Sequence, residues 1–299
     1  MEPSGVLLLN KPAGMTSHDC VNRIRRLYST KKVGHTGTLD PMATGVLPIL
    51  IGRAAKAADL LLSESKAYRA GLKLGLTTDT EDTTGEILSR SDAIPDEAAV
   101  RKVCAAFTGE ILQIPPMYSA LKLDGQKLVD LARQGITVER EARPVTVHSL
   151  EVEATDDADS YILTVHCSKG TYIRTLCADI GKTLGCGGAM SSLCRLATGN
   201  FTLAECVALD ALADMDEAER LTLLRPVESL FADLPAVKLP PFFERLARSG
   251  NEIYQKKIGT HHPMGTQVRM MGADGFFALG EVREYPDGSA VKAVKLFML

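Results

Sequence analysis

The sequence predicts an α+β fold with a mixed, largely antiparallel sheet flanked by helices, followed by a small β-rich region. Segments with alternating apolar residues and segments with helical apolar spacing are mixed along the chain. Strands are not regularly separated by helices, whereas a parallel βαβ fold would separate them. Short strand-like pieces between glycine turns close the sequence and indicate the small β-rich region.

Apolar runs and helix caps define the elements of the first quarter of the chain. Val21, Ile24 and Leu27 repeat at helical spacing, so their helix buries one side. Alternation from Lys66 onwards indicates a half-buried strand. The predicted elements are a strand at Val6–Leu9, a helix from His18 capped by Thr16 or Ser17, a buried strand at Val46–Ile51, a helix from Gly52 to Leu62 and a strand at Lys66–Leu76.

The same patterns continue through the rest of the chain, where proline-containing segments between residues 232 and 242 indicate a linker. We therefore predict a domain at residues 1–232 and a small β-rich domain at residues 236–299. The remaining elements are a helix at Asp96–Phe107, paired strands at Arg143–Val152 and Tyr161–Cys167, a helix from Gly170 to Gly185, and short strands at Gln267–Met271, Phe276–Val282 and Ala290–Phe297.

Composition limits the classes of protein that the sequence encodes. The chain has 299 residues, of which 45% are hydrophobic and 24% charged, and no apolar run approaches the ~20 residues of a membrane span. The N-terminal apolar run is too short for a signal peptide. Its seven cysteines show no C-x-x-C spacing, which indicates reduced thiols rather than disulfides or a zinc site. We expect a cytoplasmic protein without membrane contact or a metal.

The charges are unevenly distributed, although the net charge is only −3. Residues 1–75 contain eleven basic and five acidic side chains, a net charge of +6, whereas residues 210–233 carry −5. The basic first quarter includes Arg23, Arg25 and Arg26 on one helix. These side chains either contact phosphates or form a solvated face.

The stretch Gly34–Gly45, GHTGTLDPMATG, concentrates residues with special backbone properties. Its glycines permit conformations that a side chain forbids, and Pro41 fixes its own φ and pushes Asp40 into an extended conformation. Asp40 therefore lies in a stiffened loop that holds its carboxylate in a defined direction. A carboxylate can act as a covalent nucleophile without a cofactor. The sequence contains neither a phosphate loop nor a dinucleotide fingerprint.

This stretch resembles the signature of the TruB family of tRNA pseudouridine synthases. The similarity continues in the family's order over about residues 5–200, through LLLNKPAGMTSHDCVNRIRR, KAYRAGLKLGLTTDTEDTTGEI, IPPMYSALKLDGQKLVDLAR and CSKGTYIRTLCADIG. It implies a pseudouridine synthase-like fold for residues 1–232. It also implies an RNA-contacting insert at about residues 109–142 and a PUA-like RNA-binding barrel at residues 236–299.

The resemblance also assigns a site. Asp40 falls on the catalytic aspartate of the family, and Arg174 on the arginine that pairs with it. The substrate-binding residues that the resemblance implies are His35, Tyr68, Tyr172, Arg174 and Leu193. No cofactor is implied, because detaching uracil, turning it and rejoining it through carbon needs neither redox chemistry nor an energy source.

The implied reaction is isomerisation of uridine 55 in the T-loop of tRNA to pseudouridine, after the nucleotide has flipped out of its stack. The implied partner is the T-arm of tRNA, bound by a monomer without a protein partner. Asp40 attacks either the ribose or the base. The alternative function is a non-catalytic tRNA-binding or tRNA-folding chaperone on the same scaffold.

Overall fold

A computed structural model describes residues 2–60, 65–123 and 125–297. These residues form a ten-stranded mixed sheet, a five-stranded sheet near the C-terminus and two short hairpins. The predicted α+β class is therefore confirmed. None of the described helices is long and apolar enough to cross a membrane.

The large sheet and the hairpins are built from strands that precede residue 210. These strands are, in chain order, β1 (Gly5–Lys11), β2 (Val33–His35), β3 (Thr44–Ile51), β4 (Lys66–Leu74), β5 (Leu76–Thr78), β6 (Ile87–Arg90), β7 (Gly109–Gln113), β8 (Lys122–Leu123), β9 (Gln126–Lys127), β10 (Arg143–Ala154), β11 (Ser160–Cys167), β12 (Gly188–Thr198), β13 (Phe201–Thr202) and β14 (Val207–Ala208). The sheet order is β14-β1-β3-β12-β4-β11-β10-β7, with β2 beside β3 and β13 beside β12. Within it, β1 with β14 and β3 with β12 pair in parallel, and the other neighbours are antiparallel.

Helices pack on the two sheets. They are α1 (Ser17–Leu27), α2 (Glu97–Ala106), α3 (Leu128–Ala132), α4 (Ile173–Leu184), α5 (Leu209–Asp214), α6 (Glu217–Thr222), α7 (Pro241–Arg248) and α8 (Gln255–Ile258), with 3₁₀ helices at Gly52–Leu60, Leu203–Glu205 and Val227–Phe231. Helices α7 and α8 pack on the five-stranded sheet. Thr16 caps α1, as its sequence predicts. Its hydroxyl accepts from the Asp19 amide, and the Asp19 carboxylate accepts from the Thr16 amide. Helix α4 ends at Gly185, whose φ of +80° suits glycine.

The centre of the large sheet is buried on both faces. Strands β1 and β3 are nearly continuous apolar runs, as is typical of strands that have no solvent face. On one face Leu7 and Leu47 pack in a cluster with Ile24 of α1. On the other face Leu8 and Leu50 pack in a second cluster. Strand β3, into which the Gly34–Gly45 stretch runs, and its neighbour β1 therefore form a rigid support for that stretch.

A third apolar cluster lies where α2 and α4 cover β4, β11 and β12. Leu176 and Ile180 of α4 pack there with Leu72 and Leu163. Leu39 belongs to the same cluster. Burial of Leu39 therefore draws the residue that follows it, Asp40, toward the first turn of α4.

The second sheet shares a core with the first. Its strands are β15 (Ala236–Lys238), β16 (Ile253–Tyr254), β17 (Gln267–Gly272), β18 (Gly275–Tyr285) and β19 (Gly288–Leu296), in the order β15-β17-β18-β19-β16. The ring centroid of Phe231 lies 5.8 Å from that of Phe276 and 5.6 Å from that of Phe297. These rings pack with Val6 and Leu50 of the large sheet, so an apolar joint connects the two sheets.

Some predicted boundaries were wrong. The strand predicted for Lys66–Leu76 ends at Leu74, because Gly75 adopts a φ of +82° and redirects the chain into β5. The helix predicted for Gly52–Leu62 is a 3₁₀ helix over its described residues, Gly52–Leu60. Its predicted end lies outside the described residues.

Strand β12 was not predicted, although it is central to the sheet. Polar residues interrupt its apolar alternation. Its register against β4 also shifts between Met190 and Ser192 and again between Arg195 and Ala197. A bulge moves the following side chains to the opposite face, so the period of two that identifies a strand is lost.

Candidate active site

An ion pair joins Asp40, in the loop Gly34–Gly45 (the aspartate loop), to helix α4. The Nε of Arg174 lies 2.9 Å from Oδ2 of Asp40, and its Nη2 donates to Oδ1 at 3.3 Å. Nη1 donates to the Thr80 carbonyl at 3.1 Å and Nη2 to the Tyr118 carbonyl at 2.8 Å. The Arg174 side chain is 6% exposed, whereas that of Asp40 is 34% exposed. The pair is fixed on its arginine side and open on its aspartate side.

Two polar side chains hold the aspartate loop in place. The ammonium group of Lys11, at the end of β1, donates to the carbonyl of Ala43 at 2.6 Å and to that of Pro41 at 3.2 Å. Lys11 is fully buried, and this burial lowers its pKa. The Ser17 hydroxyl accepts from the Leu39 amide at 2.9 Å. These contacts fix the loop on both sides of its aspartate.

The position of Arg174 depends on how α4 begins. The buried Gln113 side chain accepts from the Tyr172 amide at 2.9 Å and donates to the Tyr172 carbonyl at 3.0 Å. Both contacts hold Tyr172 extended, so the helix predicted from Gly170 begins only after it. A cation in the first helical turn is disfavoured by the helix dipole. The carboxylate of Asp40 and two carbonyls offset this effect.

Tyr68 and Leu193 lie beside the ion pair. Tyr68 is in β4 and Leu193 in the adjacent β12, and both are buried in the cluster that contains Leu39. Burial raises the pKa of Tyr68 above the ordinary value of 10.0, although the nearby charge of Arg195 lowers it. Tyr68 therefore carries a neutral hydroxyl at neutral pH, and its ring and Leu193 form the apolar lining next to Asp40.

Arg195 connects three parts of the site from inside the protein. It is 1% exposed. Its Nε donates to the Val46 carbonyl at 2.7 Å, and its Nη2 donates to the Gly37 carbonyl at 3.3 Å. These contacts tie β3 and the aspartate loop to β12. A buried arginine needs such partners, because an unpaired buried charge is strongly destabilising.

Gly45 permits β3 and β12 to approach each other. It has a φ of +104°, and an added Cβ would lie 2.7 Å from the Arg195 nitrogen and closer still to the Arg195 carbonyl oxygen. We expect Gly45→Ala to lower the free energy of unfolding by about 3 kcal/mol or more, through backbone strain and overpacking. Urea unfolding would measure this change. Gly34→Ala is the matched control, because its added Cβ meets nothing within 4 Å. Equal urea midpoints for the two variants would contradict the close approach of β3 and β12 at Gly45.

The structure brings Asp40, Arg174, Tyr68, Tyr172 and Leu193 together. Burial raises the pKa of the Tyr172 hydroxyl, and the charges of Arg174 and Asp40 both act on it. The ring therefore borders the ion pair and stays neutral at neutral pH.

His35 lies at the other end of the aspartate loop, in β2. Its Nδ1 is buried without a hydrogen-bond partner among the described residues. Burial lowers its pKa, and the nearby charge of Arg195 lowers it further. His35 is therefore neutral at neutral pH and lies apart from the ion pair.

The pKa of Asp40 reflects two opposed influences. Burial raises it above the ordinary value of 3.8, whereas the charge of Arg174 lowers it, and the net shift is upward. The ionised carboxylate is thus less stable than in water and retains its arginine partner. Among the described residues, no group of three or more His, Cys, Asp or Glu side chains is arranged to hold a metal ion.

The sequence patterns did not identify Lys11, Gln113 and Arg195 as parts of the site. A buried cation is rare, so lysine and arginine are interpreted as solvated unless a partner is known. Their partners here are carbonyls far away in sequence.

Comparisons with known proteins show the family of the chain. The model of the N-terminal domain of the TruB family of pseudouridylate synthases matches residues 25–173, and the model of the C-terminal domain of tRNA pseudouridylate synthase B matches residues 174–232. The tRNA pseudouridine synthase B of Aromatoleum aromaticum is 46% identical over 279 residues, which cover 93% of this chain and 88% of that protein. That of Burkholderia mallei (strain NCTC 10247) is 50% identical over 272 residues, or 90% of each chain.

Solved structures show the same fold. A chain in the crystal structure of a Cbf5-Nop10-Gar1 complex superposes with a TM-score of 0.74 at 28% identity, over 98% of this chain and 85% of that one. A chain in the structure of an H/ACA RNP bound to a substrate RNA containing 2'-deoxyuridine gives 0.73 at 26% identity, over 99% and 85%.

Fold, site and relatives together define a pseudouridine synthase, an isomerase that acts on uridine in RNA. The enzyme is favoured over the non-catalytic alternative, because the relatives that match nearly the whole chain are named as synthases. Two family models cover residues 25–232 between them. The chain belongs to the TruB family.

Proposed function

We propose that this enzyme converts uridine 55 in the T-loop of tRNA to pseudouridine, with Asp40 as its catalytic nucleophile. The Asp40–Arg174 pair carries the proposal, because it holds one carboxylate in a fixed direction beside the apolar side chains of Tyr68 and Leu193, which we propose line the pocket for the flipped base. The tRNA substrate is proposed from the relatives, whose names specify tRNA.

The reaction is an exchange of bonds within one nucleotide. The N1–C1′ bond breaks and a C5–C1′ bond forms, while C5 loses a proton and N1 gains one, so the product is an isomer. Asp40 adds either to C1′ of the ribose or to C6 of the base and leaves when the new bond has formed. On either route the carboxylate must be ionised, and Arg174 stabilises that form.

The pocket suits a base that has left its stack. Flipping a nucleotide out of its stack costs a few kcal/mol. Stacking and apolar contact in the pocket offset this cost. Tyr68 provides a buried ring on which the base can stack. Leu193 closes the pocket from β12, and Tyr172 borders it. We propose that neutral His35 fills the space that the flipped base leaves in the T-loop.

We propose that the insert at residues 109–142 contacts the T-arm. It reaches the site directly, since the Tyr118 carbonyl accepts from Nη2 of Arg174 at 2.8 Å. RNA that displaces the insert would therefore act on the ion pair through the Tyr118 carbonyl.

We further propose that residues 236–299 form a PUA-like RNA-binding domain, separate from a catalytic domain at residues 1–232. The five-stranded sheet supports this proposal, and so does a basic aromatic surface, where the ammonium groups of Lys256 and Lys257 each lie 5.7 Å from the ring of Tyr254. Lysine and aromatic groups together suit phosphates and bases. Seven free cysteines support a cytoplasmic location, and we expect a monomer.

The proposed function is tested with an unmodified tRNA transcript and the purified protein, without added metal or cofactor. Carbodiimide labelling and primer extension would map the product. A single pseudouridine in the T-loop is the expected result. Tight binding without product would support the chaperone alternative, and product at another position would reject the assigned substrate site.

The pH dependence of the reaction should report the raised pKa of Asp40. As the pH falls through that pKa, the carboxylate is protonated and kcat/KM falls. Because the pKa is raised, we expect this acid limb at a higher pH than the ordinary aspartate value of 3.8 predicts. Single-turnover rates against pH would measure it, with circular dichroism at each pH as the control for folding. An acid limb at the ordinary value would contradict the burial of Asp40.

A further inference from the structure

Glu81 has a strained backbone close to the ion pair. It lies in the turn that follows β5 and adopts a φ of +64°. A glutamate in the left-handed region is uncommon, because its Cβ crowds the following carbonyl. Such a conformation persists where the surrounding structure requires it.

The strained turn directs two consecutive carbonyl groups to different elements. The Thr80 carbonyl accepts from Nη1 of Arg174 at 3.1 Å. The Glu81 carbonyl accepts from the Met190 amide of β12 at 3.0 Å. A residue in the ordinary helical or extended region would not present both carbonyls in these directions. The conformation of Glu81 thus determines whether Thr80 reaches Arg174.

The side chain of Glu81 ties the same turn to α4. Its Oε2 accepts from the hydroxyl of Thr175 at 2.6 Å, a length typical of a bond to a charged acceptor. Thr175 is buried and directly follows Arg174. Glu81 lines a cavity of about 480 Å³, together with Asp179 and Lys182. The cavity lets the turn move if the tie is lost.

We infer that Glu81 is a positioning residue that holds the Thr80 turn against α4 and so keeps Arg174 aligned with Asp40. The inference rests on the proposed function, since alignment matters only if the pair is catalytic. Without the tie to Thr175, the turn is no longer held against α4 and shifts into the cavity, the Thr80 carbonyl leaves Nη1, and the guanidinium turns away from the carboxylate.

Variants of both partners test the inference. Glu81→Gly keeps the turn without strain and removes only the side chain, and Thr175→Val removes the donor. Each should lower the single-turnover rate about tenfold, while affinity for tRNA stays within about twofold. The double variant should be no slower than either single variant, because both remove one interaction. Thr175→Ser and Glu81→Gln, which keep a donor and an acceptor, should retain most of the rate.

Several results would overturn the inference. Full rate in Glu81→Gly, multiplied losses in the double variant, or failure of Thr175→Ser to preserve the rate would each do so. Glu86→Ala is the matched control, since Glu86 is an exposed glutamate of the same turn region. An equal loss of rate in that control would show a general effect on the turn.

A second measurement separates this inference from the proposed function. Carbon NMR of labelled aspartate would follow the titration of Asp40 in the protein without RNA. In Glu81→Gly we expect the pKa of Asp40 to rise, because Arg174 no longer faces it. Loss of the Glu81 charge alone would lower that pKa, so a fall or no change rejects the inference. If the wild-type protein forms no pseudouridine but Glu81→Gly still raises the pKa of Asp40, only the proposed function is rejected.

Discussion

Asp40→Asn should bind unmodified tRNA like the wild type and form no detectable pseudouridine. The amide has the same shape as the carboxylate and still accepts from Arg174, but it cannot act as a nucleophile. We expect the single-turnover rate to fall by at least about 10⁴-fold, as is usual when a nucleophile is removed. Filter binding and product mapping on the same transcript would measure both quantities.

The control for this substitution is Asp156→Asn, which changes an exposed aspartate in the turn between β10 and β11. It should leave both rate and affinity unchanged. Turnover by Asp40→Asn within tenfold of wild type would show that another group attacks the nucleotide. Loss of binding as large as the loss of rate would instead give Asp40 a role in RNA recognition.

Arg174→Lys should reduce the rate by about 10²- to 10³-fold, the range typical for loss of one fixed electrostatic partner in a transition state. A lysine cannot reproduce the planar fork that serves Asp40, Thr80 and Tyr118 at once. Affinity should change by less than about fivefold, because the guanidinium is buried and its described partners are protein groups. Single-turnover kinetics and filter binding would measure the two effects.

The position of Arg174 inside the protein requires a folding control. Arg101→Lys changes an exposed arginine of α2 that pairs with Glu97, and it should leave the rate unchanged. Thermal unfolding of both variants would show whether the loss of rate follows from loss of structure. Equal losses of rate and of affinity in Arg174→Lys would contradict the assignment to catalysis and indicate direct RNA contact.

The central groups of the site could be predicted from the sequence because they lie in compact motifs. Glycines and a proline around Asp40 indicate a constrained carboxylate. Tyr172 and Arg174 lie two residues apart in one continuous motif. Their supporting residues could not be predicted. Lys11 and Gln113 act through backbone groups, which every residue has, so nothing in the partner's side chain indicates the pairing.

The fold also has elements that could be predicted from the sequence and elements that could not. Strands β1 and β3 were predicted because burial on both faces leaves an unbroken apolar run. Strand β12 was not, since its bulges and its buried Arg195 break the alternation. Glu81 was also missed, because a positive φ at a residue other than glycine depends on tertiary contacts rather than on local sequence.

The contacts of Arg195 and Arg174 have a consequence for the order of events during folding. Arg195 reaches a carbonyl 149 residues away, and Arg174 reaches a carboxylate 134 residues away. Contacts between such distant parts of a chain form slowly, because a long loop must close before either partner gains anything. Helices α1 and α4 can form early from local contacts alone. The ability to bind and turn over a nucleotide should therefore emerge only in the final stage of folding, after β12 has inserted between β3 and β4.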